Sequence, residues 1–277
     1  MPVTSIRANM KGRELRLVAR WIAALCLVAF VLAQTLAFSH IAVMAKETTI
    51  VSQHEVVLQD MPSDDWPTYH RDTSRSGYDP LIPEFSSVKL NWTSTTLDGD
   101  VYAEPLVVGT NVIVATEQNS LYELSASNGQ VLWHTNFGTP VNGAVLPCGD
   151  INPSGITSTP AIDVSGGTIF VVAFLSNPTL HHELFGVNLD NGAVKFQMSI
   201  DPSSSNFTAT DQQQRGALAL ANGYVYVPYG GLDGDCGSYH GWVAATSASG
   251  GGPVITYQVP TGNAGAIWGG GDGPVVD

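Results

Sequence analysis

The chain has 277 residues, of which 44% are hydrophobic and 13% are charged, so it can build a folded core and is not a largely disordered protein. The formal net charge is −13, and beyond Ala45 the chain has 6 Lys and Arg against 23 Asp and Glu, which argues against a nucleic-acid partner because such a partner needs a basic face. The 29 glycines and 16 prolines predict many turns and favour an all-β fold.

The N-terminal residues have the pattern of an export signal. Residues 1–20 are basic, residues 21–39 are mostly apolar, and Val43-Met44-Ala45 offers a small-residue cleavage site. An apolar run of this length can also span a bilayer, so residues 21–45 are either a signal peptide or a transmembrane anchor. The basic flank faces the cytoplasm in both cases. The protein is therefore expected to be exported, and either anchored by this one helix or secreted to the periplasm or cell exterior.

The rest of the chain is predicted to be a linker followed by one folded domain. Residues 46–64 form the polar linker, and residues 65–277 form the domain. The domain opens with a turn-rich, aromatic stretch, residues 65–80, which is expected to pack irregularly against one side. Residues 88–92 then form a lone strand candidate that ends in a Trp and has no partner nearby in the sequence.

After residue 100 the strand candidates repeat. Each of three successive units has four short candidates separated by turn residues, and a fourth unit opens at residues 273–277 and stops. The candidates are 103–109, 112–116, 121–126 and 131–135 in the first unit, 159–163, 169–173, 183–187 and 194–198 in the second, and 216–220, 224–228, 242–245 and 254–258 in the third.

The landmarks of the units keep their spacing. The aromatic residue of the last strand falls at Trp133, Phe196 and Tyr257, and Asn128-Gly129 recurs as Asn191-Gly192. Four antiparallel strands per unit at a regular period are typical of the blades of a β-propeller. A β-helix would need shorter rungs, and a sandwich would not repeat its landmarks. The predicted fold is an all-β, incomplete β-propeller of four-stranded antiparallel blades, with three blades plus the inner strand of a fourth.

Residues 121–133 carry a family resemblance. Their sequence, Leu-Tyr-Glu-Leu-Ser-Ala-Ser-Asn-Gly-Gln-Val-Leu-Trp, resembles the repeat of PQQ-like (quinoprotein alcohol dehydrogenase-like) β-propellers, where PQQ is pyrroloquinoline quinone. The resemblance covers roughly residues 65–277, and the later units depart from it with Phe196 and Tyr257 in place of Trp. Propellers of this family close with more than three blades. The resemblance therefore implies a fragment of a longer protein, in which residues 88–92 are the outer strand of the last blade.

Alternating strand directions predict that the long loops lie together on one face, termed the long-loop face. These loops are residues 137–158, 174–182, 199–214 and 229–241. Long loops on a rigid scaffold often carry function, so a protein or small-molecule partner is expected there. Cys148 and Cys236 lie on these loops, and in an exported protein they are expected to form a disulfide. The alternative is two separate thiols, since spacing alone does not show proximity.

Two pairs of residues have side chains of the kind that bind metals. Asp233 and Asp235 could offer carboxylates to a calcium ion, whereas two Asp in a glycine-rich turn are more often solvated turn residues. His181 and His182 are neighbours on a strand candidate, so their side chains point to opposite faces and are not expected to share an ion.

Four residues stand at or just before the starts of the inner strands: Glu104, Thr159, Arg215 and Trp268. In a propeller they would ring the central channel at the long-loop face, where the resemblance implies that PQQ is held when it is bound. Arg215 could pair with a carboxylate of PQQ, and Trp268 could stack under its planar ring. The alternative is that Arg215 bonds Glu104 or loop carbonyls and that Trp268 fills the channel.

The first functional hypothesis is an exported, non-catalytic PQQ-like propeller that acts as a ligand- or protein-binding scaffold. The alternative is part of a PQQ-dependent alcohol or sugar dehydrogenase, in which PQQ takes a hydride with calcium as Lewis acid. The resemblance implies adjacent cysteines beside the cofactor of such dehydrogenases, and this chain has no adjacent pair. No catalytic residue is therefore assigned. A sensor ectodomain tethered by residues 21–39 is a third possibility.

Overall fold

The computed structural model describes residues 65–79, 87–260, 262–269 and 271–276. The predictions for the export signal and the linker, residues 1–64, lie outside the described residues. Within the described ranges, thirteen strands form three antiparallel sheets, with two 3₁₀ turns at Gly143–Val145 and Ala209–Asp211. No helix in these ranges is both long and apolar enough to cross a bilayer.

Each sheet contains a four-stranded meander in which strands that follow each other in the chain are hydrogen-bonded neighbours, and the third sheet has one additional short strand. The first sheet contains β1 (Leu106–Val108), β2 (Asn111–Thr116), β3 (Ser120–Ser125) and β4 (Val131–Asn136). The second contains β5 (Ala161–Asp163), β6 (Thr168–Leu175), β7 (His181–Asn188) and β8 (Val194–Ser199). The third contains β9 (Gln212–Gln213), β10 (Ala219–Ala221), β11 (Tyr224–Gly231), β12 (Trp242–Ser247) and β13 (Ile255–Gln258), with β9 paired to the end of β11. The three predicted blades are confirmed.

The sheets pack face to face, and β6 shows how the sequence produces this. All eight residues of β6 are buried, because each face of the strand meets a different blade. Ile169 and Val171 pack with the first blade, while Phe170 and Val172 pack with the third. An unbroken apolar run is what a strand covered on both faces requires. The second blade is therefore the centre of two cores, which fixes the order of the three sheets.

An aromatic ring that precedes each blade in the chain packs on a turn glycine of that blade. The pairs are Trp92 with Gly129, Trp133 with Gly192 and Phe196 with Gly250. In each pair a Cβ on the glycine would lie 2.5 Å from a ring carbon, and each glycine has a positive φ. Only glycine meets both conditions without strain. The indoles of Trp92 and Trp133 also donate hydrogen bonds to the carbonyls of Ala126 and Leu189, at 2.7 and 3.3 Å.

Two predicted strands are not formed in the described residues. Residues 88–92 and 273–276 have extended or irregular backbone and join no β-ladder. A strand is stable only when a neighbour pairs with it, and no sheet continues beside either segment in this part of the chain. Trp92 nevertheless occupies the place on the first blade that Trp133 occupies on the second.

Residues 65–79, termed the inner segment, run along the inner strands of all three blades. The backbone of Trp66 forms two hydrogen bonds with β1, at 2.7 and 3.1 Å, and the carbonyl of Pro67 accepts one from β5 at 2.9 Å. The guanidinium of Arg75 donates to the carbonyl of Leu218, directly before β10, at 2.9 Å. The stretch that was expected to pack irregularly on one side thus lies across the inner edges of the sheets.

Candidate functional site

The starts of the inner strands meet at the long-loop face. The backbone N–H of Glu104, which precedes β1, donates to Thr159 Oγ1 at 2.9 Å. The carbonyl of Thr159, which precedes β5, accepts from the N–H of Leu218 at 3.0 Å. The structure therefore brings together Glu104 and Thr159, and the third blade joins them through its backbone.

Both oxygens of the Glu104 carboxylate accept a hydrogen bond from the inner segment. Its Oε1 accepts a hydrogen bond from Trp66 Nε1 at 2.8 Å, and its Oε2 accepts one from the backbone N–H of His70 at 3.2 Å. A carboxylate that accepts one hydrogen bond on each oxygen is held in a fixed orientation. Glu104 holds the inner segment in place over the first blade.

Arg215 lies beside the same strand starts but makes a different contact. Its Nη1 donates to the carbonyl of Thr157 at 3.3 Å, and its guanidinium carbon lies 6.0 Å from the ring centre of Tyr102, in the range of a cation–π contact. A Cβ on Gly271 would lie 3.5 Å from the same nitrogen. Arg215 thus bonds a loop carbonyl, as in the alternative that the sequence left open.

Glu117 belongs to this region and was not singled out from the sequence. It lies in the turn between β2 and β3, is only 2% exposed, and accepts hydrogen bonds from the Gly155 N–H at 2.6 Å and Thr157 Oγ1 at 3.1 Å. Burial raises the pKa of Glu117 to about 7, although these hydrogen bonds and the charge of Arg215 act in the opposite direction. A charged residue in a three-residue turn is normally exposed to solvent, so nothing in the sequence indicates that Glu117 is buried.

Trp268 lies in a cavity on the long-loop face of the third blade. This cavity, termed the Trp268 cavity, has a volume of about 530 Å³. Its lining residues are Leu232, Asp233, Gly234, Asp235, Tyr239, Ala264, Ala266 and Trp268. The indole N–H donates to the carbonyl of Gly231 at 2.7 Å, and 38% of the side chain is exposed. Glu104, Thr159 and Arg215 are not part of this lining.

The structure brings Asp233 and Asp235 to Trp268, although the sequence predicted separate roles for them. Tyr239 Oη donates to Asp235 Oδ1 at 2.5 Å, and this bond raises the pKa of Tyr239. Calcium needs six or more oxygen ligands, including several carboxylates or carbonyls. Across the described ranges, no group of three or more His, Cys, Asp or Glu side chains is placed to hold a metal ion. The calcium site at Asp233 and Asp235 therefore stays a prediction.

Cys148 and Cys236 form a disulfide, with their Cα atoms 5.9 Å apart, so the predicted pairing is confirmed. The bond joins the loop between the first two blades to the loop between β11 and β12. Gly234 lies against it, since a Cβ there would be 3.2 Å from Cys148 Sγ. The disulfide therefore fixes the loop that carries Asp233 and Asp235.

The strand starts do not fit PQQ in the predicted way. The planar cofactor was expected to stack on Trp268 and to pair with Arg215 beside Glu104. Trp268 instead lines a cavity that contains neither residue, and Trp66 and His70 occupy both oxygens of Glu104. Among the described residues, Trp268 and Arg215 therefore do not line one common space.

The two neighbouring histidines of β7 have separate surroundings. His182 is 1% exposed, its Nδ1 is hydrogen-bonded to Asp201 Oδ1 at 2.8 Å, and its ring stacks on Phe174. His181 Nε2 instead lies 3.6 Å from a carboxylate oxygen of Glu183. Each histidine therefore has its own carboxylate partner.

Comparisons with known proteins agree with this architecture. A family model described as outer membrane protein assembly factor BamB matches residues 79–268, which is more than half of the chain. No curated protein matches the sequence.

Solved structures with the same fold are similar at low identity. The quinohemoprotein alcohol dehydrogenase of Comamonas testosteroni has a TM-score of 0.53 at 17% identity, over 70% of this chain and 27% of that chain. The quinohemoprotein alcohol dehydrogenase ADHIIG of Pseudomonas putida HK5 has a TM-score of 0.51 at 18% identity, over 70% of this chain and 26% of that chain. BamB of Moraxella catarrhalis has a TM-score of 0.38 at 14% identity, over 62% of this chain and 55% of that chain. The chain spans about a quarter of the length of the two dehydrogenases.

Proposed function

The chain belongs to the PQQ-like repeat family described as outer membrane protein assembly factor BamB, and from this premise we propose that it is an exported, non-catalytic scaffold that binds a partner at its long-loop face. The family description names an assembly factor, which is a protein-binding role. The alternative is part of a PQQ-dependent alcohol or sugar dehydrogenase.

The observation that carries the proposal is the position of the inner segment. A dehydrogenase of this fold needs an accessible cofactor site at the starts of the inner strands. In this chain Trp66 and His70 donate hydrogen bonds to the two oxygens of Glu104. Arg75 donates one to the Leu218 carbonyl of the third blade. These contacts use the polar groups that a cofactor would otherwise bind, which favours a structural role for them.

Export and the site of binding have their own support. Disulfides persist mainly in oxidising compartments, so the bond between Cys148 and Cys236 favours a periplasmic or extracellular domain. The same bond stiffens two long loops on one face. Rigid loops lose less entropy when a partner binds, which makes this face the better binding surface. Contact with a membrane is proposed only through residues 21–45.

We further propose that the three blades belong to a larger ring. Tyr257 of β13 has the position that Trp133 and Phe196 have in the earlier blades, and 59% of it is exposed. Each of those two rings packs on a turn glycine of the following blade. Sequencing the coding region beyond the codon for Asp277 tests this: an in-frame continuation with a further Asn-Gly turn is expected, and an immediate stop codon contradicts it.

The experiment that separates the two functions uses the full chain with PQQ and calcium. We expect no reduction of an artificial dye acceptor with alcohols or sugars as substrates, and no saturable quenching of tryptophan fluorescence by PQQ. Dye reduction would show a dehydrogenase and overturn the scaffold function. Saturable PQQ binding without dye reduction would contradict the occupied strand starts.

A further inference from the structure

We propose that the Trp268 cavity binds an organic cation, that is, an alkylammonium or guanidinium group. The volume of about 530 Å³ is in the range of ligand pockets and is far larger than a bare ion needs. Among the described residues, its lining combines two carboxylates with aromatic and small apolar residues and contains no Lys, Arg or His. This combination selects a cation that is organic rather than a metal.

One wall of the cavity is a fixed aromatic ring. The indole of Trp268 is held by the hydrogen bond from Nε1 to the Gly231 carbonyl at 2.7 Å, and it packs so closely on Gly230 that a Cβ there would clash with the ring. More than a third of the side chain remains exposed to the cavity and solvent. A Trp ring is the best side-chain partner for a cation over its face.

The carboxylates lie on one short turn beside this ring. Asp235 is oriented by the hydrogen bond that Tyr239 Oη donates to its Oδ1 at 2.5 Å. Asp233 is exposed to solvent and makes no hydrogen bond or ion pair with any residue in the described part of the chain. A neutral ligand that displaced water here would leave that carboxylate desolvated without a partner, which is unfavourable. A cationic ligand would supply the missing charge.

The segment that carries Ala264, Ala266 and Trp268 is fixed by backbone hydrogen bonds. The N–H of Ala264 donates to the Tyr239 carbonyl at 3.0 Å, and the N–H of Ile267 donates to the Tyr229 carbonyl at 3.3 Å. The disulfide holds the turn of Asp233 and Asp235 from the other side. A preorganised site needs little rearrangement on binding.

Two sources could supply this cation, namely the Lys or Arg side chain of a partner protein and a free small amine. The protein source rests on the proposed scaffold function, whereas the small-amine source does not. The chain beyond Ala45 carries 23 Asp and Glu against 6 Lys and Arg, so its surface attracts either one over longer distances.

The test is calorimetric titration of the full chain with matched ligands. Choline is compared with its neutral isostere 3,3-dimethyl-1-butanol, and blocked pentapeptides with a central Lys or Arg are compared with one that has a central Gln. We expect each cationic ligand to bind at least about tenfold more tightly than its neutral counterpart. Tighter binding of the Lys or Arg peptide than of choline indicates a partner protein, and the reverse indicates a small amine.

Matched variants locate the binding. The double variant Asp233→Asn, Asp235→Asn is expected to weaken cation binding by at least about tenfold, while Asp190→Asn, an exposed turn residue outside the lining, leaves it unchanged. Equal binding of choline and its neutral isostere, wild-type affinity in the double variant, or no saturation in the millimolar range would overturn the proposal. Failure here would leave the scaffold function with another contact surface, while dye reduction with PQQ would remove the scaffold function and leave this result intact.

Discussion

Glu117 is a buried carboxylate that ties the first blade to the loop leading into the second. Its Oε2 accepts hydrogen bonds from Gly155 and Thr157, while its Oε1 has no partner among the described residues. A buried carboxylate with one oxygen unsatisfied favours the protonated form, because ionisation would leave a desolvated charge. The pKa of about 7 follows from this burial.

This pKa predicts a pH-dependent stability with a definite sign. The folded pKa of about 7 lies above the ordinary value of 4.5, so between these pH values the folded state binds more protons at this group than the unfolded state. Its contribution to stability is complete below pH 4.5 and is lost as the pH rises to 7, by about 3 kcal/mol in all.

The variant Glu117→Gln tests this, because it keeps an oxygen acceptor for Gly155 and Thr157 but cannot ionise. Urea unfolding at pH 5 and pH 8 should show that the variant loses about 2–3 kcal/mol less than the wild type between the two pH values. Identical losses in both proteins would show that Glu117 does not titrate in this window.

At the residue scale the sequence predicted the disulfide but not the partners of the polar residues. The disulfide between Cys148 and Cys236 could be predicted because cysteines of exported proteins usually pair and both residues lie on long loops of the same face. The bonds of Glu104 with Trp66 and His70 could not be predicted, since these residues lie 38 and 34 positions apart in the chain. Asp233, Asp235 and Trp268 share a cavity only because the backbone of residues 262–268 folds back onto β11 and the loop before β12.

The element scale is governed by the contact between an aromatic ring and a turn glycine. Gly192 has a φ of +71°, and a Cβ there would lie 2.5 Å from Trp133 Cε3 and 2.7 Å from Thr135 Oγ1. Thr135 also donates to the Gly192 carbonyl at 2.6 Å. The turn of the second blade is therefore locked to the last strand of the first.

Replacing this glycine should separate packing from backbone strain. Gly192→Ala is expected to lower the free energy of unfolding by about 3 kcal/mol, since both a left-handed alanine and overpacking are unfavourable. Gly223→Ala is the matched control, because Gly223 has a φ of +75° and a Cβ added there would meet no atom within 4 Å. It should lose only about 1 kcal/mol in the same urea titration. Equal losses would mean that the ring contact contributes nothing.

The strands were predicted well where the sequence repeats and less well at the long-loop face. β6 runs to Leu175 and β7 starts at His181, so the loop predicted at residues 174–182 is reduced to five residues. Polar residues such as His182 were assigned to that loop. In the structure His182 remains in the ladder, because Asp201 satisfies its ring nitrogen. Hydrogen-bond partners from another loop are not visible in local periodicity.

At the scale of the whole molecule, the disulfide links two loops that are far apart in the chain. It connects the loop after the first blade with a loop of the third, across a separation of 88 residues. Repeat proteins are otherwise stabilised by contacts between adjacent units. The bond therefore adds a constraint that blade packing alone does not provide.

The double variant Cys148→Ser, Cys236→Ser should lower the free energy of unfolding by about 2–4 kcal/mol, because the unfolded chain regains the entropy of a long loop. Mass spectrometry of an unreduced digest should show the two cysteines in one cross-linked peptide pair. The wild type treated with a reductant serves as control and should match the variant in urea. Two alkylated thiols at these positions in the untreated protein would contradict the structure.

The inner segment also affects the order in which contacts form during folding. Residues 65–79 are synthesised before any blade, yet the bond from Arg75 to Leu218 spans 143 positions. Contacts between distant residues form late, since the chain loses loop entropy before it gains them. We expect the blades to form in the order of synthesis and the inner segment to close over them last. Pulsed hydrogen exchange during refolding should therefore protect the amide of Val107, which bonds Trp66, after the amides that join β2 to β3.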